Sequence, residues 1–202
     1  MLTLKPEQQQ QLESCQALVL GASAGAVEAL SVLLPAVAEG ARIPLIVVVH
    51  LPPNRASLLP ELFAARCAVR VQEPVDKEPM SAGTIWFAPP NYHLLLELDS
   101  TFSLSIDEPV NFSRPSIDVL FESAADALGP RLGAIVLTGA NEDGASGSCR
   151  VRERGGLVIV QDPSTAVASD MPTAAISRAN PQIVATLPEI ADLVRVATRA
   201  VP

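Results

Sequence analysis

Residues 17–25, Ala-Leu-Val-Leu-Gly-Ala-Ser-Ala-Gly, organise the reading of the whole chain. The apolar run Ala17 to Leu20 predicts a buried strand. Gly21 then permits a tight turn, Ser23 stands at its tip, and Gly25 opens an amphipathic helix. A serine so placed exposes its oxygen beyond the carboxyl end of a strand, near the positive end of a helix dipole. Open α/β sheets bind their ligands in that crevice. Small residues at a strand-to-helix turn are also ordinary turn chemistry, so the weight of Ser23 as a candidate nucleophile depends on the rest of the chain.

The composition agrees with that frame. Of 202 residues, 49% are apolar but only 3% aromatic, so Val, Ile, Leu and Ala must fill the core. That usage suits a parallel sheet covered by helices, in a length that fits one domain. The net charge of −8, without a basic stripe, leaves no electrostatic footprint for nucleic acid and repels anionic membranes. No run approaches the ~18 apolar residues of a membrane span, and the polar, Gln-rich leader (residues 1–16) lacks the pattern of a signal peptide. Cys15, Cys67 and Cys149 are widely spaced with no Cys-x-x-Cys pair, which predicts reduced thiols and a cytoplasmic protein. Cys149 falls inside a helical pattern rather than at a turn.

Strand and helix patterns alternate through residues 17–202, which read as a single domain. The first helix carries Val27, Leu30, Leu33 and Leu34 on one face. Residues 43–49 form the clearest buried strand, ending at His50, after which Pro52 and Pro53 force an exit from the sheet. A short helix over 56–65, a brief strand near Val69 and a strand over 84–88 follow. Residues 92–98 and 101–106 flank Asp99-Ser100 as an antiparallel hairpin. Ser116 is placed as N-cap of a helix over 117–128, closed by Gly129. A strand over 133–137 runs into the loop 138–144 and a helix reaching Gly155-Gly156, and a strand over 157–160 comes next. Pro172 and Pro188 each stand at the first position of a further helix. The predicted fold is α/β, three-layered and doubly wound, with a mostly parallel sheet and one inserted antiparallel hairpin.

Three strands end in reactive residues: Ser23 after the first, His50 after the second, and Asp143 shortly after a later one. In a parallel sheet those ends share one edge, so a hydroxyl, an imidazole and a carboxylate converge in the logic of nucleophile, base and orienting acid. Each has a plainer reading: a strand-end His often only caps, and an Asp before Gly is a common turn residue. Only one other histidine exists, His93, inside the hairpin. Gly21-Ala22-Ser23-Ala24-Gly25 matches the nucleophile elbow of α/β-hydrolases, but their late histidine has no counterpart beyond residue 93. A G-x-G-x-x-G fingerprint, a P-loop and zinc-ligand spacing are all missing, so no cofactor or metal is expected.

Several stretches, taken together and in order, resemble the catalytic domain of chemotaxis protein-glutamate methylesterases (CheB-type). They are Leu20-Gly21-Ala22-Ser23, Val49-His50-Leu51-Pro52-Pro53, Phe87-Ala88-Pro89 with His93 nearby, and Val110-Asn111 through Arg114-Pro115-Ser116-Ile117-Asp118-Val119-Leu120-Phe121. Leu137-Thr138-Gly139 through Asp143-Gly144, Gln161-Asp162 and Met171-Pro172 complete the series, over roughly residues 16–199. The resemblance implies hydrolysis of glutamyl methyl esters on the cytoplasmic helices of chemoreceptors, with glutamine deamidation as a side activity. Ser23 corresponds to the nucleophile, His50 to the general base and Asp143 to the carboxylate that orients it. Backbone N–H groups near His50 and Ala140 would hold the oxyanion. Arg114, Ser116 and Asp118 correspond to substrate-side or loop-fixing residues, and a structural ion pair is an equal reading for Arg114.

Ala24, Ala26 and Ala140 depart from the family pattern, which puts larger or polar residues, or a glycine, there. Ala24 removes a hydroxyl partner for His50, and Ala140 leaves a smaller pocket wall. The resemblance also implies a phosphorylatable receiver domain, for which the residues before the first strand leave no room; a stand-alone esterase, one regulated in trans, or an excised domain would each fit. Two other functions stand beside the esterase: a non-catalytic module that holds a receptor helix in the same cleft, and a general small-ester hydrolase. Because the protein is itself acidic, capture of an acidic receptor helix should rest on shape and hydrogen bonds.

Overall fold

A computed structural model describes residues 2–51 and 57–200. In chain order its elements are α1 (Pro6–Ser14), β1 (Ala17–Ala22), α2 (Ala26–Leu33), β2 (Leu45–Val49), α3 (Leu59–Ala64), β3 (Arg70–Gln72), β4 (Thr84–Phe87), β5 (His93–Leu96) and β6 (Phe102–Ser105). Then follow α4 (Ile117–Leu128), β7 (Leu132–Val136), α5 (Ala145–Glu153), β8 (Leu157–Gln161), α6 (Asp170–Ala179), β9 (Ile183–Ala185) and α7 (Leu187–Thr198). The turn at Pro52-Pro53 and the start of the helix expected from residue 56 lie outside the described residues.

Seven strands pair in the order β3-β4-β2-β1-β7-β8-β9, every pair parallel. β5 and β6 form a separate antiparallel hairpin, with His93 opposite Ser105 and Leu96 opposite Phe102. The fold is therefore the α/β architecture expected, down to the inserted hairpin. From β1 the chain works outward on one side through β2, then crosses back to place β7 on the other. The carboxyl ends of β1, β2 and β7 thus flank the switch point, where such sheets open a crevice.

Strand residues alternate between two buried cores, as the two-residue period of a pleated strand demands. Leu18, Leu20 and Ala22 face a core shared with Leu30 of α2, Phe63 of α3 and Val194 of α7. Ala17 and Val19 face a second core with Phe121 of α4, Val151 of α5, Met171 of α6 and Leu94 of the hairpin. These are the two outer layers.

Three local expectations are corrected. Gly21 makes no turn: it pairs with Val48 and Val136 inside β1. Val27 faces outward at 44% exposure, and Ala26 and Ala29 take the buried stripe with Leu30 and Leu33. Pro172 and Pro188 sit one or two positions inside their helices, since α6 begins at Asp170 and α7 at Leu187 behind a Thr186–Glu189 capping box. The Gln-rich leader holds a helix, α1, that buries Leu12. Gln8 Nε2 donates to the Gln182 carbonyl and Gln11 Nε2 to that of Gly155, both at 2.7 Å. Arg42 donates to the carbonyls of Cys15 (2.8 Å) and Glu13 (2.7 Å), satisfying the end of that helix.

Gly21 has a different use. A Cβ there would lie 2.4 Å from Cγ2 of Ile117, the first residue of α4. Only a bare Cα lets the start of α4 lie this close to β1. Gly21→Ala is expected to destabilise the protein by about 1–3 kcal/mol through overpacking, read as a lower urea midpoint at unchanged slope. Unchanged stability would mean that Ile117 can retreat at no cost.

Candidate active site

β1 and β2 are in register to their last residues, Ala22 opposite Val49, so Ser23 and His50 are the next residue on each strand. The His50 N–H donates to the Ala22 carbonyl at 3.2 Å, and the Ser23 N–H donates to the Thr138 carbonyl, just beyond β7, at 2.9 Å. Ser23 is thereby clamped between the two flanking strands at the switch point. Gly25, with φ +82°, then caps α2. Thr138 holds the turn: its Oγ1 donates to the Ala24 carbonyl (2.8 Å) and accepts from the Ala168 N–H (2.9 Å). The Ser23 hydroxyl is half-buried and has no hydrogen-bond partner among the described residues.

His50 Nε2 lies 2.7 Å from Asp143 Oδ2, with the imidazole 11% exposed and the carboxylate fully buried. Facing an ionised carboxylate, Nε2 carries the proton and donates it, which leaves the lone pair on Nδ1. Asn141 fixes the other side of the ring. Its Oδ1 accepts from the Asp143 N–H at 3.2 Å, and its Nδ2 points at His50 Nδ1 from 3.4 Å. Nδ1 is therefore the basic atom.

Asp143 is held by many donors. Oδ2 also accepts from the Ile117 N–H at 2.7 Å; Oδ1 accepts from Ser116 Oγ (2.8 Å), Asn111 Nδ2 (3.0 Å) and the N–H groups of Asp118 (3.1 Å) and Gly144 (3.2 Å). Ile117 and Asp118 open α4, so the carboxylate sits on that helix's positive end. Burial alone would raise the Asp143 pKa; the bonds from His50, Ile117, Asn111 and Asp118 outweigh it and hold the carboxyl below its usual range. Asp118 goes the other way. Burial and the neighbouring Asp143 charge push it up to about 6, against bonds from the Gly147 N–H (2.7 Å) and Asn111. Asn111 Nδ2 donates to both acids, at 2.9 Å to Asp118 and 3.0 Å to Asp143, so one amide separates two buried carboxyls.

Each predicted site residue can now be placed. His50 and Asp143 are bonded directly, with Ser23 on the adjoining strand end. The His50 backbone N–H is occupied by Ala22 O, so it is no oxyanion donor. The Ala140 N–H donates to no acceptor among the described residues and stays available. Ser116 and Asp118 are buried behind Asp143, with their side chains bonded to protein groups, on the loop-fixing side of the expectation. Ser116 does stand at the N-cap of α4, but the capping oxygens are those of Asp143. Arg114 forms no ion pair among the described residues; it donates to the carbonyls of Ile106 (2.7 Å) and Asp107 (2.9 Å), anchoring the loop beyond the hairpin. His93 is buried: its Nδ1 accepts from the Ser116 N–H (3.2 Å) and its Nε2 donates to the Glu108 carbonyl (3.1 Å). Asn111, Asn141, Thr138 and His93 were thus missing from the expected set of site residues.

A cleft of about 200 Å³ opens beside His50, lined by Leu51, Asn91, Pro109, Phe112, Ser113, Arg114 and Pro115. The three cysteines are unpaired, and burial raises Cys15 and Cys67 to about 11 and Cys149 above its ordinary value, so none is a thiolate near neutral pH. Among the described residues no His, Cys, Asp and Glu cluster could hold a metal, and no helix is long and apolar enough to cross a membrane.

The family model described as CheB methylesterase matches residues 18–194. The chain belongs to the CheB methylesterase family. A solved structure of the Thermotoga maritima CheB methylesterase catalytic domain superposes with a TM-score of 0.85 at 28% identity, covering 90% of this chain and 98% of that one. A Leptospira interrogans protein, whose name provisionally assigns it as a protein-glutamate methylesterase/protein-glutamine glutaminase, is 43% identical over 88% of this chain and 92% of its own length. The protein-glutamate methylesterase/protein-glutamine glutaminase of Trichodesmium erythraeum is 35% identical over 76% of this chain but only 44% of its own length. A Methanosarcina mazei protein of the same name is 35% identical over 87% of this chain and 50% of its own length.

Proposed function

We propose that this chain hydrolyses methyl esters of glutamate side chains on the cytoplasmic helices of chemoreceptors, and deamidates glutamine at the same positions. The observation that carries the reading is the 2.7 Å bond between His50 and buried Asp143, at the sheet edge where Ser23 projects an unbonded hydroxyl, in a chain of this family.

In the reaction Ser23 Oγ attacks the ester carbonyl carbon and passes its proton to His50 Nδ1. The imidazolium keeps its Nε2–H on Asp143, whose depressed pKa holds it ionised to balance that charge. The tetrahedral oxyanion takes the Ala140 N–H. Collapse breaks the C–O bond to methoxide, which leaves as methanol with the proton from His50. Water then attacks the acyl-serine by the same proton path, releasing the glutamate carboxylate and restoring Ser23. A glutamine amide follows the same steps, with ammonia as leaving group. In the resting state Asn141, bonded to both His50 and Asp143, fixes the ring with its Nδ1 lone pair unprotonated.

The test is methanol release from a carboxyl-methylated cytoplasmic fragment of a chemoreceptor. Methanol should appear in step with new glutamate carboxylates. Folded protein that releases none from several methylated receptors would overturn the reading and favour a module that only binds them.

A further inference from the structure

The turn that anchors Asn111 also presents the most exposed aromatic side chain among the described residues. Val110 and Ser113 exchange backbone hydrogen bonds (3.2 and 2.9 Å), closing a two-residue hairpin turn over Asn111 and Phe112. Both central residues have positive φ, +50° and +61°, the pattern of a type I′ turn. Asn suits the first position and glycine is strongly preferred at the second. Phe112 occupies that second position, a left-handed conformation that strains a bulky L-residue. Its ring gains nothing in return inside the protein, being fully exposed to solvent.

Strain kept without internal compensation points to use elsewhere, and the location says where. Phe112 lines the cleft beside His50, so a chain segment that reaches Ser23 and His50 through that cleft lies beside its ring. Val167 lies over Gly25, at the end of the Ser23 turn, and is 73% exposed. Exposed apolar side chains therefore stand both at the cleft beside His50 and at the Ser23 turn. The protein's net charge of −8 offers no electrostatic capture of an acidic segment, so its recognition rests on shape, hydrogen bonds and apolar contact.

We infer that Phe112 is a specificity-determining contact: its ring packs against an apolar side chain of the receptor helix next to the esterified glutamate, selecting a helix over a small ester. The inference rests on the methylesterase reading. The turn spends folding stability on presenting this ring, so stability and receptor activity should move in opposite directions on substitution.

Phe112→Gly tests this, because glycine is the favoured residue there and leaves Asn111 in place. The urea midpoint should rise. The kcat/KM toward the methylated receptor fragment should fall tenfold or more, mainly through KM, while hydrolysis of a tripeptide carrying the same methyl ester changes less than twofold. Phe112→Leu, apolar but still strained, should keep most of the receptor activity. Equal receptor activity in Phe112→Gly and the parent would overturn the inference, and so would equal losses on both substrates, which would place the effect in the Asn111–Asp143 network. A parent protein that releases no methanol from the receptor overturns the underlying reading instead, and with it the choice of occupant.

Discussion

Ser23→Ala is expected to abolish methanol release from methylated receptor while leaving stability nearly unchanged. Removing a serine nucleophile from a comparable triad costs up to about 10⁶-fold in turnover, because the barrier then falls back on binding and oxyanion contacts alone. Folding should not notice. The Ser23 hydroxyl has no partner among the described residues, and the bonds that shape its turn are backbone ones, to Thr138 O and from the Ala26 N–H, which alanine keeps. A surface-type substitution of this kind stays within about 0.5 kcal/mol. Methanol release and urea denaturation on the same preparation separate the cases. A structural serine would show the reverse pattern, reduced stability with retained turnover, and persistent release would put the nucleophile elsewhere.

The legible part of this fold is the part encoded over short stretches. Runs such as residues 157–160 are apolar on both faces, the pattern of a parallel strand buried between layers. Ser23, His50 and Asp143 were legible because each follows such a run, and a parallel sheet brings such ends to one edge. What escaped reading depends on distant partners. α1 has an unremarkable polar sequence; it is ordered by Arg42 and by carbonyls of Gly155 and Gln182 on remote segments. Asn111 bonds Asp118, seven residues on, and Asp143, 32 residues on, and nothing in the turn sequence alone announces the second. Gly21 looked like turn chemistry because its neighbour across the layers, Ile117, lies far along the chain. Ser116 has the residue type and position of a cap, but a carboxylate brought in by tertiary structure competes better for the same N–H groups.

Asp143→Asn should lose both activity and stability, because the carboxylate serves both. Its two oxygens accept from His50, Ile117, Ser116, Asn111, Asp118 and Gly144. Asparagine has one oxygen. If that oxygen replaces Oδ1, the amide NH₂ faces His50 and the Ile117 N–H, donor against donor. The imidazole can relieve its half of the clash only by moving its proton to Nδ1, which removes the lone pair that would deprotonate Ser23. Turnover should therefore fall about 10⁴-fold, as when a triad carboxylate is made an amide and the wrong tautomer results. The stranded, buried N–H and the lost charge on the α4 terminus should cost about 3 kcal/mol. The pH dependence follows from the signs. Asp143 has a depressed pKa in the fold, so its contribution is present above the unfolded value, near 4, and is lost as pH falls through the folded one. Asp118, raised to about 6, works oppositely: it favours the fold most when protonated, below the unfolded value, and that advantage is lost as pH rises through about 6. Without the Asp143 charge Asp118 loses a repulsive neighbour and should ionise at lower pH. That relief returns some stability to the variant above about pH 6, so the gap between parent and Asp143→Asn should be widest near about pH 5 and narrow below about pH 4. Urea titrations at both pH values measure it, and a gap independent of pH would mean that the loss comes from packing rather than from the buried charge.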